Sequence, residues 1–352
     1  MRAFFHPDQH LHDPKQFMRV GRISAPTDLP SRTDALLGAL RSHGIEPEMP
    51  ADYGISPALT IHKQHYLDFL ATAYERWVEI PNAGPEVLPN VSPYWNGSPD
   101  RDGRPPCRSQ SVIAQAGYYL GDLAVPIGPN TWRSALTSTH TAAAAADAIV
   151  AGADTAYALC RPSGHHARTD RATGFCYLNN SAIAAERLRT RFRRVAVLDV
   201  DAHHGDGTQE IFYRRDDVLT VSVHVHPDAY YPFFIGYEDE RGSGNGEGFN
   251  LNIPLPPRSD DAAFLAAVDR GAEAVEAFEA EALVVALGYD SHREDPIGLL
   301  NVSTEGFRGV GERVARLGIP TVVVQEGGYQ ISVIGACLSE FITGLGGGKR
   351  TV

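Results

Sequence analysis

From Thr155 onward the chain alternates between short aliphatic runs and helix-length stretches, and this alternation constrains the fold more than any other feature. Strands are expected over Thr155–Cys160, Val195–Asp201, Val218–Val225, Leu251–Leu255, Ala282–Leu287 and Thr321–Gln325. Helices are expected between or after them, near Tyr177–Arg191, Thr208–Tyr213, Asp260–Glu279, Thr304–Leu317 and Ile334–Leu345. The aliphatic runs are too short for helices and suit strands buried on both faces. Strand–helix alternation builds a parallel sheet with helices on both sides. At 352 residues the chain has room for one large α/β domain or two ordinary ones, and nothing in it marks a domain break.

The N-terminal part fits around such a sheet. Residues 2–5 read as a first strand. Helices are expected over 33–43, with Ser31 as cap, and over 65–78, where Tyr66, Phe69, Leu70, Tyr74 and Trp77 recur at helical spacing. Residues 131–149 include five consecutive alanines and are strongly helix-forming. Between these helices, residues 81–110 carry seven prolines among Asn, Gly and Asp, and read as an irregular loop insertion. The glycine-rich stretch 242–248 lacks the Lys-Ser/Thr of a phosphate loop and reads as an ordinary loop.

Four expected strand ends are unusually polar. Val195-Ala196-Val197-Leu198 runs into Asp199-Val200-Asp201-Ala202-His203-His204-Gly205-Asp206-Gly207. The others end in Arg161-Pro162-Ser163-Gly164-His165-His166, in Gly288-Tyr289-Asp290 and in Glu326-Gly327-Gly328-Tyr329. In open α/β sheets ligands bind outside the carboxyl ends of the strands, so four such ends on one edge point to a site. Asp201, His203 and Asp290 can give a divalent ion three ligands and leave positions for water and substrate. Zn²⁺ suits such a set, and two carboxylates with one imidazole also suit Fe²⁺ or Mn²⁺. A bound ion lowers the pKa of water toward ~7 and polarises a carbonyl. His165 and His166 offer imidazoles for proton transfer, Asp199 and Asp206 carboxylates to orient them. Tyr329, after two glycines, can donate to a developing oxyanion.

The bulk composition narrows the partners. Lys and Arg number 31 against 43 Asp and Glu, a net charge of −12, which argues against nucleic acid and anionic membrane. The four cysteines form no Cys-x-x-Cys pair and fit a reducing compartment. The start is too polar for a signal peptide, and no apolar run approaches a membrane span, so a cytoplasmic location is expected.

Gly164-His165-His166-Ala167, Gly174-Phe175-Cys176-Tyr177-Leu178-Asn179-Asn180, the stretch from Asp199 to Thr208, and Glu326-Gly327-Gly328-Tyr329 closely resemble the zinc-dependent histone deacetylase family over about residues 130–345. Ile61-His62, Tyr74-Glu75-Arg76-Trp77 and the segment from Gly117-Tyr118-Tyr119 to Trp132 resemble its bacterial acetylpolyamine amidohydrolases. The resemblance implies the arginase–deacetylase fold, a single domain around an eight-stranded parallel sheet. It implies zinc on Asp201, His203 and Asp290, His166 as general base and acid oriented by Asp206, His165 paired with Asp199, and Tyr329 polarising the acetyl carbonyl. A structural K⁺ is implied at Asp199, the backbone oxygens of Asp201 and His203, Ser222 and the backbone of Val223. A second monovalent site falls at Phe212 and Val218. Phe175 and Tyr231 match tunnel walls. The subgroup's acid for the distal ammonium aligns with Ile113; Asp100, Asp102 or a partner subunit could supply the charge instead, and without it a long polycation loses its anchor and a short or less charged amide becomes more credible. The insertion, taken as 81–130, is implied to form a homodimer that narrows the entrance.

The reading that follows is a metal-dependent amidohydrolase acting on the acetyl amide of a small amine. The competing readings are a deacetylase of acetyl-lysine in proteins, a hydrolase of a less charged amide, a two-metal ureohydrolase, which needs further bridging carboxylates at the strand ends, and a non-catalytic acyl sensor, which predicts a lost motif residue where none is lost.

Overall fold

A computed structural model describes residues 1–92 and 104–347 of the chain. Strands β1 (Arg2–Phe4), β4 (Thr155–Ala158), β5 (Val195–Asp199), β6 (Val218–Val225), β7 (Asn250–Leu255), β8 (Ala282–Leu287) and β9 (Thr321–Gln325) form one parallel sheet, ordered β1-β4-β9-β8-β5-β6-β7. A separate antiparallel hairpin joins β2 (Phe17–Arg19) and β3 (Arg22–Ser24). The helices are α1 (Ser31–Ser42), α2 (Ser56–Leu59), α3 (Gln64–Trp77), α4 (Val112–Tyr119), α5 (Thr131–Val150), α6 (Asn180–Arg189), α7 (Asp206–Phe212), α8 (Asp261–Ala277), α9 (Thr304–Leu317) and α10 (Ile331–Gly347).

Alternate strand residues face opposite cores, as the two-residue period of a strand requires. Ala196, Leu198, Leu283, Val285 and Val323 pack with Leu36 and Leu40 of α1, Phe264 of α8, Phe307 of α9 and Phe341 of α10. Val195, Val197, Val284, Val322 and Val324 pack on the other face with Ile149 of α5 and Ile183 of α6. The alanine run of α5 is buried there, where small side chains bring the helix close to the sheet. A third apolar cluster joins α3 and α4 to Tyr177 and Leu178.

Two expectations are corrected. The sheet has seven strands among the described residues, not eight. A single parallel bridge from Phe4 to Glu48 stands at the eighth position, where Phe5 N–H donates to Glu48 O and Glu48 N–H to Ala3 O. Pro47 and Pro50 flank Glu48 and cannot donate to a ladder, which keeps that pairing to one residue. The insertion at 81–130 is not all loop: α4 lies within it, and Val87 bridges Ile127 across it. Hairpin β2–β3 had no sequence signal of its own, because Phe17 alone among its strand residues is buried and no alternation marks a face.

The chain leaves β5 toward β6 and β7 on one side, and β8, β9 and β4 lie on the other. The order reverses between β5 and β8, and a crevice opens at such a point. All four polar strand ends belong to the adjacent strands β4, β9, β8 and β5.

His62 ties the early helices to the loops at this edge. Its Nδ1 donates to Arg168 O at 3.0 Å, and Asn179 N–H donates to its Nε2 at 2.9 Å. That pairing fits only the neutral ring, and burial pushes its pKa down to about 4. Unfolded histidine titrates near 6.5, so this contribution is complete above that pH and is lost as pH falls toward 4, about 3 kcal/mol in all. The unfolding free energy of His62→Gln, from urea titrations at several pH values, is predicted to depend on pH less steeply between 6.5 and 4, by up to one proton. An unchanged slope contradicts the assignment.

Candidate active site

Asp201 and His203 follow the end of β5, and Asp290 follows β8. Their ligand atoms lie within 4.8 Å of one another, and all three are buried. His203 Nδ1 is 3.2 Å from Asp201 Oδ1 and 3.0 Å from Asp290 Oδ2. Backbone N–H groups set the carboxylates: His203 N donates to Asp201 Oδ1, Gly327 N to Asp201 Oδ2 and Ala202 N to Asp290 Oδ1. A side chain at Gly327 would collide with both carboxylates, so the backbone passes there only as glycine.

These residues fit a divalent metal. Two fully buried carboxylates face each other with a single imidazole between them. Burial, and then the charge of Asp201, raise the pKa of Asp290. A bound ion would replace that repulsion with ligation.

The paired histidines stand beside this cluster, their rings 4.0 Å apart between centroids. His165 Nδ1 donates to Asp199 Oδ2 at 2.9 Å, and His166 Nδ1 to Asp206 Oδ1 at 2.7 Å. Each ring is thereby oriented with Nε2 outward. The two differ electrostatically. Burial opposes charge on His165, but Asp199 and Asp201 outweigh it and lift its pKa to about 10. Burial and the neighbouring His165 push His166 down to about 4, against the pull of Asp206. The carboxylates around His165 favour its charged form, and burial beside His165 favours the neutral form of His166.

Tyr329 closes the site from the loop after β9. Asp295 Oδ2 accepts from Tyr329 N–H at 2.7 Å and from Gln330 N–H at 3.3 Å. Arg32 lies over the Tyr329 ring at 4.7 Å and donates to Glu326 O and Gly328 O. Burial keeps the phenol protonated, well above its usual pKa, with Arg32 acting against it.

Phe175 and Tyr231, the expected tunnel walls, stand next to Tyr329 and His166 respectively. Phe175 has φ +67°, a left-handed conformation costly for a bulky residue, and its ring sits 5.5 Å from that of Tyr329 and 5.2 Å from that of Phe17. Tyr231 stands edge-on to His166, ring centroids 5.1 Å apart. Ile113 lies on α4 and packs against the third apolar cluster. Asp100 and Asp102 lie outside the described residues. Ser222 and Val223 sit on β6, with Ser222 opposite Asp199 in register; Phe212 ends α7 and Val218 begins β6.

Several site residues had no assigned role in the sequence. Asp122 accepts from Tyr231 Oη at 2.8 Å and Gly174 N–H at 2.9 Å, which fixes a carboxylate beside Tyr231. It is a lone acid in a loop, with no pattern to expose it. Tyr230 stacks on His203 at 4.8 Å. Glu326 was visible only as part of a motif, yet its Oε2 accepts from Gly164 N–H at 2.7 Å and His165 N–H at 3.1 Å, and its Oε1 from Ser181 Oγ at 2.7 Å.

A histone deacetylase domain matches residues 27–345 of the chain. The chain belongs to the histone deacetylase family. The family makes it a deacetylase-type enzyme. It is 46% identical over 347 residues to the acetylpolyamine amidohydrolase of Burkholderia pseudomallei, covering 98% of this chain and 99% of that one. It is 40% identical to acetylpolyamine amidohydrolase 1 of Pseudomonas aeruginosa, covering 99% of this chain and all of that one. A crystal structure of acetylpolyamine aminohydrolase from B. pseudomallei superposes with a TM-score of 0.93 at 45% identity, covering 99% of each chain.

Glu326 stitches the histidine loop to the tyrosine loop, so Glu326→Ala is predicted to lose about 2–4 kcal/mol, because two buried N–H donors lose their acceptor. Glu326→Gln keeps an acceptor and should lose about 1 kcal/mol or less. Denaturant titration of the two variants checks the difference; equal losses contradict it.

Proposed function

We propose that the protein hydrolyses the acetyl amide of a small amine, an acetylpolyamine or a similar compound, to acetate and the free amine. The observation that carries this reading is the buried Asp201–His203–Asp290 cluster beside the paired imidazoles of His165 and His166, each hydrogen-bonded to its own carboxylate. The choice of a small amine rests on full-length similarity to proteins named acetylpolyamine amidohydrolases and on the carboxylate of Asp122 held beside Tyr231.

A divalent ion on Asp201, His203 and Asp290, Zn²⁺ in the first instance, supplies a polarised carbonyl and water of lowered pKa. The chain's own groups do the rest. His166 takes the proton of the attacking water at Nε2, while Asp206 stabilises the imidazolium through Nδ1. Tyr329 donates its phenolic hydrogen to the oxyanion as the carbonyl carbon becomes tetrahedral. His166 then returns the proton to the departing nitrogen, and the C–N bond breaks. His165, charged and held by Asp199, stays a hydrogen-bond donor throughout. Phe175 and Tyr231 line a passage for an unbranched chain, and Asp122 attracts a cationic end.

Asp199, the backbone oxygens of Asp201 and His203, Ser222 and Val223 are assigned to a structural monovalent cation, potassium. The second such site is assigned to Phe212 and Val218. The insertion at 81–130 is assigned to a homodimer that narrows the entrance. Val20 and Phe234, apolar side chains left exposed, support an interface between copies of the chain. The four free cysteines fit a reducing cytoplasm, and no helix among the described residues is long and apolar enough to cross a membrane.

Acetate release from acetylputrescine, acetylcadaverine, acetylspermidine, an acetyl-lysine peptide and a neutral acetamide tests the reading. Acetylated diamines are expected to give the highest kcat/KM, and preference for the peptide contradicts the substrate class. His166→Ala and Tyr329→Phe are each predicted to lower kcat by about 10²–10³-fold with the metal still bound. Asp122→Asn is predicted to raise KM for acetylated diamines and leave KM for the neutral amide unchanged.

A further inference from the structure

The His166–Asp206 pair is completed by a third residue. Asp206 is only 2% exposed. Its Oδ1 is taken by His166, and its Oδ2 accepts from Arg168 Nη2 at 2.8 Å and Nε at 3.3 Å. Among the described residues these are the hydrogen-bond partners of that carboxylate. The far side of the guanidinium donates through Nη1 to Glu210 Oε2 at 2.7 Å. Asp206 and Glu210 are four residues apart on one face of α7, so the helix offers two carboxylates to one planar fork. Arg168 follows His166 by two residues.

We propose that Arg168 is a positioning residue for the hydrolytic reaction, fixing the Asp206 carboxylate so that Oδ1 is presented to His166 and the imidazole is held in line for proton transfer. The inference rests on the reading of His166 as the proton carrier. A guanidinium contacting one carboxylate oxygen through two nitrogens fixes its direction better than a single donor does. Without Arg168, a buried carboxylate oxygen is left with no donor, and the group is free to turn and carry the ring with it. The loop backbone does not depend on this side chain. His62 holds Arg168 O, Arg168 N–H donates to Arg171 O, Asn179 Nδ2 donates to Ala167 O, and Thr173 Oγ1 donates to His166 O. Truncating the side chain therefore leaves the loop in place.

The test is steady-state hydrolysis of acetylcadaverine by the zinc-loaded, full-length protein. Arg168→Met should lower kcat at least about tenfold with zinc content unchanged. KM should stay within about twofold, since the loss lies in the transition state and not in binding. Arg168→Lys, or millimolar guanidinium added to the Met variant, should restore part of the rate. A Met variant that turns over at the wild-type rate, a loss expressed only in KM, or a loss that neither lysine nor guanidinium relieves overturns the proposal. Arg168→Gln carries the same expectations if the Met variant does not fold. His166→Ala separates the two claims: if it stays active, the proton-carrier reading fails and takes the inference with it; if it is inactive while Arg168→Met is unimpaired, only the inference fails.

Discussion

Two fully buried carboxylates, Asp201 and Asp290, face each other at the ends of adjacent parallel strands. Like charges in a dry site repel strongly, and leaving both ionised without a partner would cost far more than any nearby hydrogen bond returns. A bound metal ion would convert that repulsion into ligation. The requirement reaches back into the fold: β5 and β8 must pair in parallel, in the register Asp199 opposite Ala286, for the two acids to meet. It reaches forward into the loops as well, where Gly327 must lack a side chain and its N–H must point at Asp201.

Around this pair the strand-end loops are fastened to one another by carboxylates that accept backbone N–H groups. Glu326 joins the tyrosine loop to the histidine loop, and Asp295 joins the Asp290 loop to Tyr329. Such acceptors set positions more closely than apolar packing, because each lost bond leaves a buried donor unmet. The reacting groups are thus held by neighbours from other strands, so the site forms only when the sheet does.

Much of this was legible in the sequence, for stated reasons. Aliphatic runs of strand length, such as Ala282–Leu287 and Thr321–Gln325, bury both faces and mark themselves, and those two strands fall where expected. Asp201 and His203 stand out as acid and imidazole directly after an aliphatic run, and the structure puts Asp290 beside them, although both lie past the end of β5, where the chain bends. The rest depends on the third dimension. A single-residue bridge at Glu48 has no periodicity to read, and the hairpin at 17–24 has no buried stripe. Asp122, Arg168 and Tyr230 act through partners distant in sequence. Of these only Arg168 left a trace, two residues after His166 and opposite an acid pair spaced i, i+4.

The most direct test of the central claim is the metal stoichiometry of the purified protein, measured with its acetate release before and after chelation. One divalent ion per chain is expected at Asp201, His203 and Asp290, with activity lost on chelation and restored by one equivalent of Zn²⁺, and neither ion nor activity in Asp290→Ala. Acetate release from metal-free protein, or from Asp290→Ala at the wild-type rate, would contradict it.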